Sequence, residues 1–331
     1  MAPLLYDSAM ASEKSADRDR AKALIAVVGA DGFVGGCLAA ALGAERIVYG
    51  PCASGDIHIS QADVLLQKAD VVINAAGFRV RPGCTYADYQ RSHQGATSVI
   101  VPWIRQGALF LHISSASVLG KSKNRALSNQ APPNPASFPS AAYALAKLEA
   151  DQFLEKAAAE RKFRLTFLRP AVVYGPQGAG MIETLLNLAK RGIILRLYPR
   201  SARHHLCHTT LLVDVVRRVV ELNQSRHLNC LIVADPYTVT NRQLEMMLRQ
   251  YLPRKGTTLP IPVSLLSTLL RHGFHSRNPR LDLRTWGEIF GVLNLDTAYD
   301  PSETFSLLGL DPSQYLLEKT LQPLMREGLP L

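Results

Sequence analysis

Tyr143 and Lys147 stand four residues apart in the run Tyr143-Ala144-Leu145-Ala146-Lys147. On a helix, residues at that spacing share a face with Cβ atoms about 5–6 Å apart, so both side chains can address one small volume. A phenol with an ordinary pKa of about 10 is a poor proton acceptor at neutral pH, and a neighbouring ammonium lowers that value. Ser140 follows Pro139 and is placed to N-cap the helix, which sets Tyr143 in the first turn, where the helix dipole also favours an anion. Such a pair can move a proton to or from a substrate oxygen. The same spacing equally suits an aromatic ring packed under a lysine stem, so its meaning depends on the rest of the chain.

The elements that would position the pair read as alternating strands and helices. Residues 24–28 form a short apolar run that ends in Gly29-Ala30-Asp31-Gly32-Phe33-Val34-Gly35-Gly36 and continues as a small-residue helix. Glycines at 29, 32 and 35 allow a tight turn, a close approach of backbone N–H groups to a pyrophosphate, and close packing of helix on strand. The next strand, Arg46-Ile47-Val48-Tyr49, runs into Gly50-Pro51, where an acid would normally hold the ribose 2′-hydroxyl of NAD. Its absence removes a repulsion against a 2′-phosphate and favours NADP, with NAD possible. Asp56-Ile57 opens a third strand whose acid suits an adenine amino group or an ordinary turn. A fourth strand ends in Asn74-Ala75-Ala76-Gly77, small enough to admit a bound cofactor, and Arg79 in the following loop suits an anionic substrate or plain solvent.

A helix is expected over 87–105, and a fifth strand over 109–113 ends at Ser114-Ser115-Ala116-Ser117, at the edge where α/β sheets bind ligands. The long helix after Ser140 runs to about residue 160, a sixth strand spans 163–168, and Arg169-Pro170-Ala171-Val172-Val173-Tyr174-Gly175-Pro176 follows. Helices are expected over 180–191, 211–222, 241–251, 262–271 and 311–325, with an added strand near 230–234.

Across the 331 residues there are 37 basic and 27 acidic side chains, a net charge of +10, which attracts anions such as nucleotides and diphosphates. No basic block is interleaved with aromatics, which argues against nucleic acid. No apolar run reaches the roughly 18 residues that an integral membrane helix needs. Residues 1–22 are polar, read as a disordered tail, and lack a signal-peptide core. The five cysteines are scattered and never paired as C-x-x-C, which fits reduced thiols in the cytoplasm. Cys207 between His205 and His208 lacks a second cluster to complete four ligands, so no metal is expected.

Taken together, the glycine turn, Asn74-Ala75-Ala76-Gly77, the serines after the fifth strand, Tyr143-x-x-x-Lys147 and the Arg169–Pro176 stretch resemble the extended short-chain dehydrogenase/reductase family, over roughly residues 23 to 325. The branch most resembled contains nucleotide-sugar 4-epimerases and 4-ketoreductases. The resemblance implies an α/β fold, a Rossmann-type doubly wound parallel sheet with a smaller, mainly helical substrate region. The dinucleotide domain would span 23–175 and the substrate region 176–331, with 205–235 returning to the first. It also implies an NAD(P)-dependent oxidoreductase or epimerase acting on an anionic nucleotide sugar as a homodimer.

Carried over residue by residue, the resemblance makes Ser115, Tyr143 and Lys147 catalytic. The cofactor would be held by Gly29, Asp31, Gly32, Phe33, Val34, Gly35, Asp56, Ile57, Asn74, Ala75, Ala76, Gly77, Ser114, Pro170 and Val173 together with Tyr143 and Lys147. Arg79, Ser115, Ser117, Arg203 and His204 would face substrate. Departures from the pattern fall on the substrate side: Leu119 replaces a common tyrosine, and Ser92 and Met181 replace asparagines. Two other readings remain. Leu259-Pro260-Ile261-Pro262 and the apolar helix after it suit a ketoreductase of a hydroxysteroid- or dihydroflavonol-like substrate, and a non-catalytic NADP-binding sensor or scaffold is the reading from another class.

Overall fold

A computed structural model describes residues 23–81, 83–122, 126–178, 180–222, 228–250, 256–273 and 283–326. The expected tail, residues 1–22, lies outside them. The apolar runs become strands β1 (Ile25–Val28), β2 (Glu45–Val48), β3 (Asp56–His58), β4 (Val71–Asn74), β5 (Leu109–Ile113) and β6 (Arg164–Pro170). With the Cys230–Val233 strand beside β6, they form one seven-stranded sheet in the order β3-β2-β1-β4-β5-β6-Cys230–Val233, every pair parallel. This is the doubly wound Rossmann arrangement expected from the sequence.

Strand side chains alternate between faces, and a parallel sheet must bury both. Val27, Ile73, Leu109, Leu111 and Leu168 therefore meet Leu211, Leu212, Val215 and Val219 of the Thr209–Leu222 helix on one side. Ala26, Val28, Val72, Phe110 and Phe167 meet Ile100 and Leu154 on the other. Register brings the strand ends level: Val28 pairs with Asn74, Asn74 with His112, and Ile113 with Leu168. Because the order reverses between β1 and β4, a crevice opens at their carboxyl ends, where such sheets bind ligands.

The helix expected over 87–105 is interrupted. Tyr86–Gln90 is α-helical behind a capping box of Thr85 and Asp88, Arg91–Gly95 opens into a π-helical turn, and Ala96–Ile100 resumes the α-helix before a short 3₁₀ turn at Val101–Trp103. At the wide turn the Thr97 hydroxyl donates to the His93 carbonyl at 2.7 Å. Past β6 the helices Met181–Lys190, Thr209–Leu222, Asn241–Arg249, Val263–Arg271 and Leu317–Arg326 match the expected ones, and Leu283–Val292 and Ser302–Leu308 are additional. Parallel pairing of Ile193–Tyr198 with Thr257–Pro262 ties this half together. Among the described residues no helix is long and apolar enough to cross a membrane.

The glycine turn is where helix and strand approach most closely. A Cβ on Gly35 would fall 2.1 Å from the Gly29 carbonyl oxygen, and one on Gly29, whose φ is +81°, would fall 2.7 Å from the Ala76 nitrogen. Both clashes are with backbone, which cannot swing aside. Gly35→Ala is therefore expected to push the Phe33–Leu42 helix off β1 and cost about 1–3 kcal/mol, read as a lowered urea midpoint at unchanged m-value.

Candidate active site

The helix Ala141–Arg161 carries Tyr143 in its first turn. Ser140 occupies the cap position without capping: its backbone (φ −98°, ψ 62°) departs from the extended geometry that aims a cap hydroxyl at the first N–H groups, and its buried Oγ finds no partner among the described residues. The Tyr143 ring is fixed from the side by two edge-on rings, Tyr89 at 5.7 Å and His93 at 5.5 Å between centroids. Both come from the interrupted helix, one on each side of the step into its π turn.

Ser115, two residues past the end of β5, pulls the pKa of the Tyr143 phenol down. Ser115 Oγ in turn accepts from the Ser117 hydroxyl at 2.9 Å and the Ser117 backbone N–H at 3.2 Å. With its lone pairs occupied by Ser117, Ser115 has its own proton to give, which suits stabilisation of charge on a nearby oxygen. Burial pushes the Tyr143 phenol up to about 12, against the pull of Ser115 and with a further push from the Asp151 charge. The lowering by Lys147 expected from the sequence must be corrected: Lys147 is not among the groups that shift Tyr143, and burial prevails. The Lys147 side chain is 5% exposed, and its ammonium donates to the Ile113 carbonyl at 2.8 Å, because a buried cation must find an acceptor.

One turn further, Asp151 supplies the compensating anion. It is 2% exposed and accepts from the Ser114 hydroxyl at 2.8 Å and from Arg169 Nη2 at 3.2 Å. Burial raises its pKa, with Arg169, Ser114 and Lys147 all pulling downward toward the ionised form. Burial lowers Lys147 to about 8, with Asp151 opposing.

The polar layer continues beneath the site. Asn74 Nδ2 donates to Thr97 Oγ1 and meets His112 Nδ1, both at 3.3 Å, while Asn74 Oδ1 accepts the Ala76 N–H at 3.1 Å. Since an amide nitrogen can only donate, His112 Nδ1 accepts and its proton lies on Nε2, 3.7 Å from Asp151 Oδ1. That contact is too long for a hydrogen bond. Burial holds His112 well below its usual value and hence neutral.

The remaining sequence expectations fall into place unevenly. The Phe33–Leu42 helix follows Gly32 with no side-chain cap, which leaves the first-turn N–H groups of Phe33, Val34 and Gly35 for an anion. Ala75, Ala76 and Gly77 line the floor after β4, and a Cβ on Gly77 would collide with His93 Nδ1 at 2.1 Å. These backbones and missing side chains fit a dinucleotide. Pro170 closes β6, and Val173 lies on the short strand that follows. The side chains of Asn74 and Ser114 are buried and bonded into the layer below, so they support the floor from beneath. Asp56 is already bonded through Oδ1 to Arg46 Nε at 2.6 Å and through Oδ2 to the Ala53 N–H at 3.3 Å. Ile57 is half-buried beside it.

On the substrate side, Arg79 is exposed on the loop after β4. Ser117 supports Ser115. Arg203 forks onto Asp296 through Nε at 3.2 Å and Nη2 at 2.8 Å. His204 must be corrected: it is 2% exposed, and its Nε2 meets Asn241 Oδ1 at 3.0 Å, so it packs behind Arg203 inside the C-terminal half and is shielded from any ligand. Strand alternation explains this, because neighbours on the Arg203–His204 strand face opposite ways. Sequence reasoning missed Asp151, Arg169 as its partner, His112 and His93. The available signals were the i, i+4 steps from Tyr143 through Lys147 to Asp151 and from Tyr89 to His93.

Lys147 gives a pH test. A base whose folded pKa lies near 8 against a usual 10.5 binds its proton more weakly when folded. Between those values the unfolded chain holds the extra proton, so this contribution to stability rises with pH and is at its least favourable below pH 8. The unfolding free energy of the wild type minus that of Lys147→Met is expected to grow as the pH rises toward the ordinary lysine value, measured by urea titrations at fixed ionic strength.

Comparisons with known proteins agree with this architecture. No curated protein matches the chain by sequence. Among solved structures, human epimerase family protein SDR39U1 (isoform 2), crystallised with NADPH, superposes with a TM-score of 0.71 at 17% identity over 92% of this chain and 99% of its own. MoeE5 in complex with UDP-glucuronic acid and NAD gives 0.69 at 19% identity, over 90% and 96%. UDP-glucuronic acid 4-epimerase from Bacillus cereus, bound to UDP-glucuronic acid and NAD, gives 0.69 at 18%, again over 90% and 96%. At those identities the likeness is one of fold. The NAD dependent epimerase/dehydratase family, whose signature matches residues 25–230 and hence more than half of the chain, is the family to which this protein belongs.

Proposed function

We propose that the protein is an NAD(P)-dependent oxidoreductase or epimerase that works at a carbonyl or hydroxyl carbon of a nucleotide-linked sugar. The observation that carries the reading is the gathering at the carboxyl end of β5 of Ser115, which favours the Tyr143 phenolate, with the buried Lys147 ammonium on the Ile113 carbonyl. The first-turn N–H groups of Phe33 to Gly35 and the floor of Ala75, Ala76 and Gly77 would hold the dinucleotide. A bound nicotinamide supplies or takes up the hydride.

The protein's own groups handle the proton. In the reducing direction the Tyr143 phenol, kept protonated by burial, gives its proton to the carbonyl oxygen while Ser115 donates a hydrogen bond to the same oxygen. In the oxidising direction the phenolate receives the hydroxyl proton, and Ser115 lowers the cost of forming that anion. Tyr89 and His93 hold the ring in line, which keeps the hydroxyl where the transfer occurs.

Support for a nucleotide-sugar substrate comes from the family and from the surplus of basic side chains. The compartment proposed is the cytoplasm, in keeping with five free cysteines. A homodimer belongs to the same reading, and Val99, Trp103 and Leu145 are exposed apolar side chains of the dinucleotide half that a second copy would cover.

Tyr143→Phe is expected to lower turnover of a responsive UDP-4-keto sugar by about 10²–10⁴-fold without loss of dinucleotide binding, and Ser115→Ala by about 10²–10³-fold. Full activity of the phenylalanine variant would remove Tyr143 from the mechanism. UDP competing for the site supports the nucleotide sugar, whereas a UDP-indifferent site hands it to an apolar ketone. Denaturing the purified protein and identifying what it releases separates the two chemistries: retained NAD marks an epimerase, and a site filled only by added cofactor marks a reductase.

A further inference from the structure

β2 runs into Tyr49-Gly50-Pro51 and carries no acid where a carboxylate commonly accepts from the adenosine ribose 2′-hydroxyl. The fold brings one there by another route. Asp31, on the glycine turn between β1 and its helix, reaches across so that Oδ2 accepts the Gly50 backbone N–H at 3.2 Å. A Cβ built on Gly50 would stand 3.2 Å from the same oxygen, so the carboxylate lies in the space that a side chain at position 50 would contend for. We infer that Asp31 is the acceptor for the ribose 2′-hydroxyl and makes the site selective for NAD(H) over NADP(H). The inference rests on the dinucleotide reading given above.

Three observations shape it. Among the described residues only the Gly50 N–H donates to Asp31, so Oδ1 is available to a hydroxyl donor. Tyr49 is turned away from the turn, its hydroxyl donating to the Ala96 carbonyl at 3.2 Å, and its phenol is pushed up to about 12 by burial and then by the Asp31 charge, which places that charge beside the end of β2. The nearby cation that might have offset the carboxylate is committed. Arg46 spends Nε on Asp56 at 2.6 Å and Nη2 on the Ala30 carbonyl at 2.9 Å. A 2′-phosphate entering here would meet the uncompensated Asp31 carboxylate and a cation already neutralised by Asp56, whereas a 2′-hydroxyl would find an acceptor. The glycine at position 50 is then part of the device, because a larger residue would displace the carboxylate.

The test is calorimetric titration of the full-length protein with NADH and with NADPH, which reads binding without any substrate. The wild type is expected to bind NADH at least about tenfold more tightly than NADPH, since like charges brought together at a binding site are strongly disfavoured. Asp31→Ala is expected to weaken NADH, strengthen NADPH and bring the two within about threefold of each other. Asp31 is exposed, so the variant should fold, and a thermal melt matching the wild type confirms that it has. Equal or tighter binding of NADPH by the wild type, or a ratio that Asp31→Ala leaves unchanged, overturns the role of Asp31 while the dinucleotide site stands. Binding of neither dinucleotide overturns both the site and this inference.

Discussion

The structure turns on a cation that has been taken out of water. Lys147 lies under the site with its ammonium on the Ile113 carbonyl, and one carbonyl is not enough to hold a full charge in a protein interior. Asp151, a turn further along the same helix, provides the counter-charge, and Asp151 is itself affordable only because Ser114 and Arg169 donate to it. Those partners come from β5 and β6, so the helix cannot bury its polar stripe until both strands are side by side. Helix, strand ends and charge are thereby locked into one arrangement, which holds Tyr143 at the carboxyl ends of the strands, its ring flanked by Tyr89 and His93.

That dependence explains what was legible in the sequence. Strand order, the glycine turn and the Tyr143–Lys147 pair are local patterns, readable because hydrophobic period and glycine spacing act over a few residues. The layer beneath them is not local. His112 sits in a strand of otherwise apolar residues, and only the register of Asn74 against His112 shows that its neutral tautomer completes the bonding of Asn74. His93 was equally hidden. Its helix was expected to be continuous, and the π turn at Arg91–Gly95 puts the imidazole against Gly77 on one side and edge-on to Tyr143 on the other.

The C-terminal half was read least well, and long-range charge is the reason. Arg196, Arg200 and Arg203 stand close together in the sequence, and only Arg203 was expected to face substrate. Arg203 is held by Asp296, and Arg196 and Arg200 share the buried Glu245 carboxylate with Arg249. Partners separated by 49, 45 and 93 residues leave no trace in local spacing. Three guanidiniums on one carboxylate still leave the cluster positive, so the surplus seen in composition survives here in reduced form. Its first role is to join the Ile193–Tyr198 strand to the Asn241–Arg249 helix.

Chemistry and specificity are consequently built from different materials. The groups around Tyr143 stand at strand ends and have partners that are buried and mutually constrained, so changing one disturbs several. Arg79, by contrast, is exposed, and Leu119 and Met181 carry an apolar side chain where the resemblance leads one to expect a polar one. Leu119 is buried among Val118, Ile232 and Tyr299, and so contributes packing where a hydroxyl would have reached outward. A scaffold organised this way can lose polar contacts to a sugar without loss of the catalytic geometry, because no bond in the Lys147–Asp151–Arg169 layer passes through them. The direction of constraint runs from the sheet to Tyr143 and stops there.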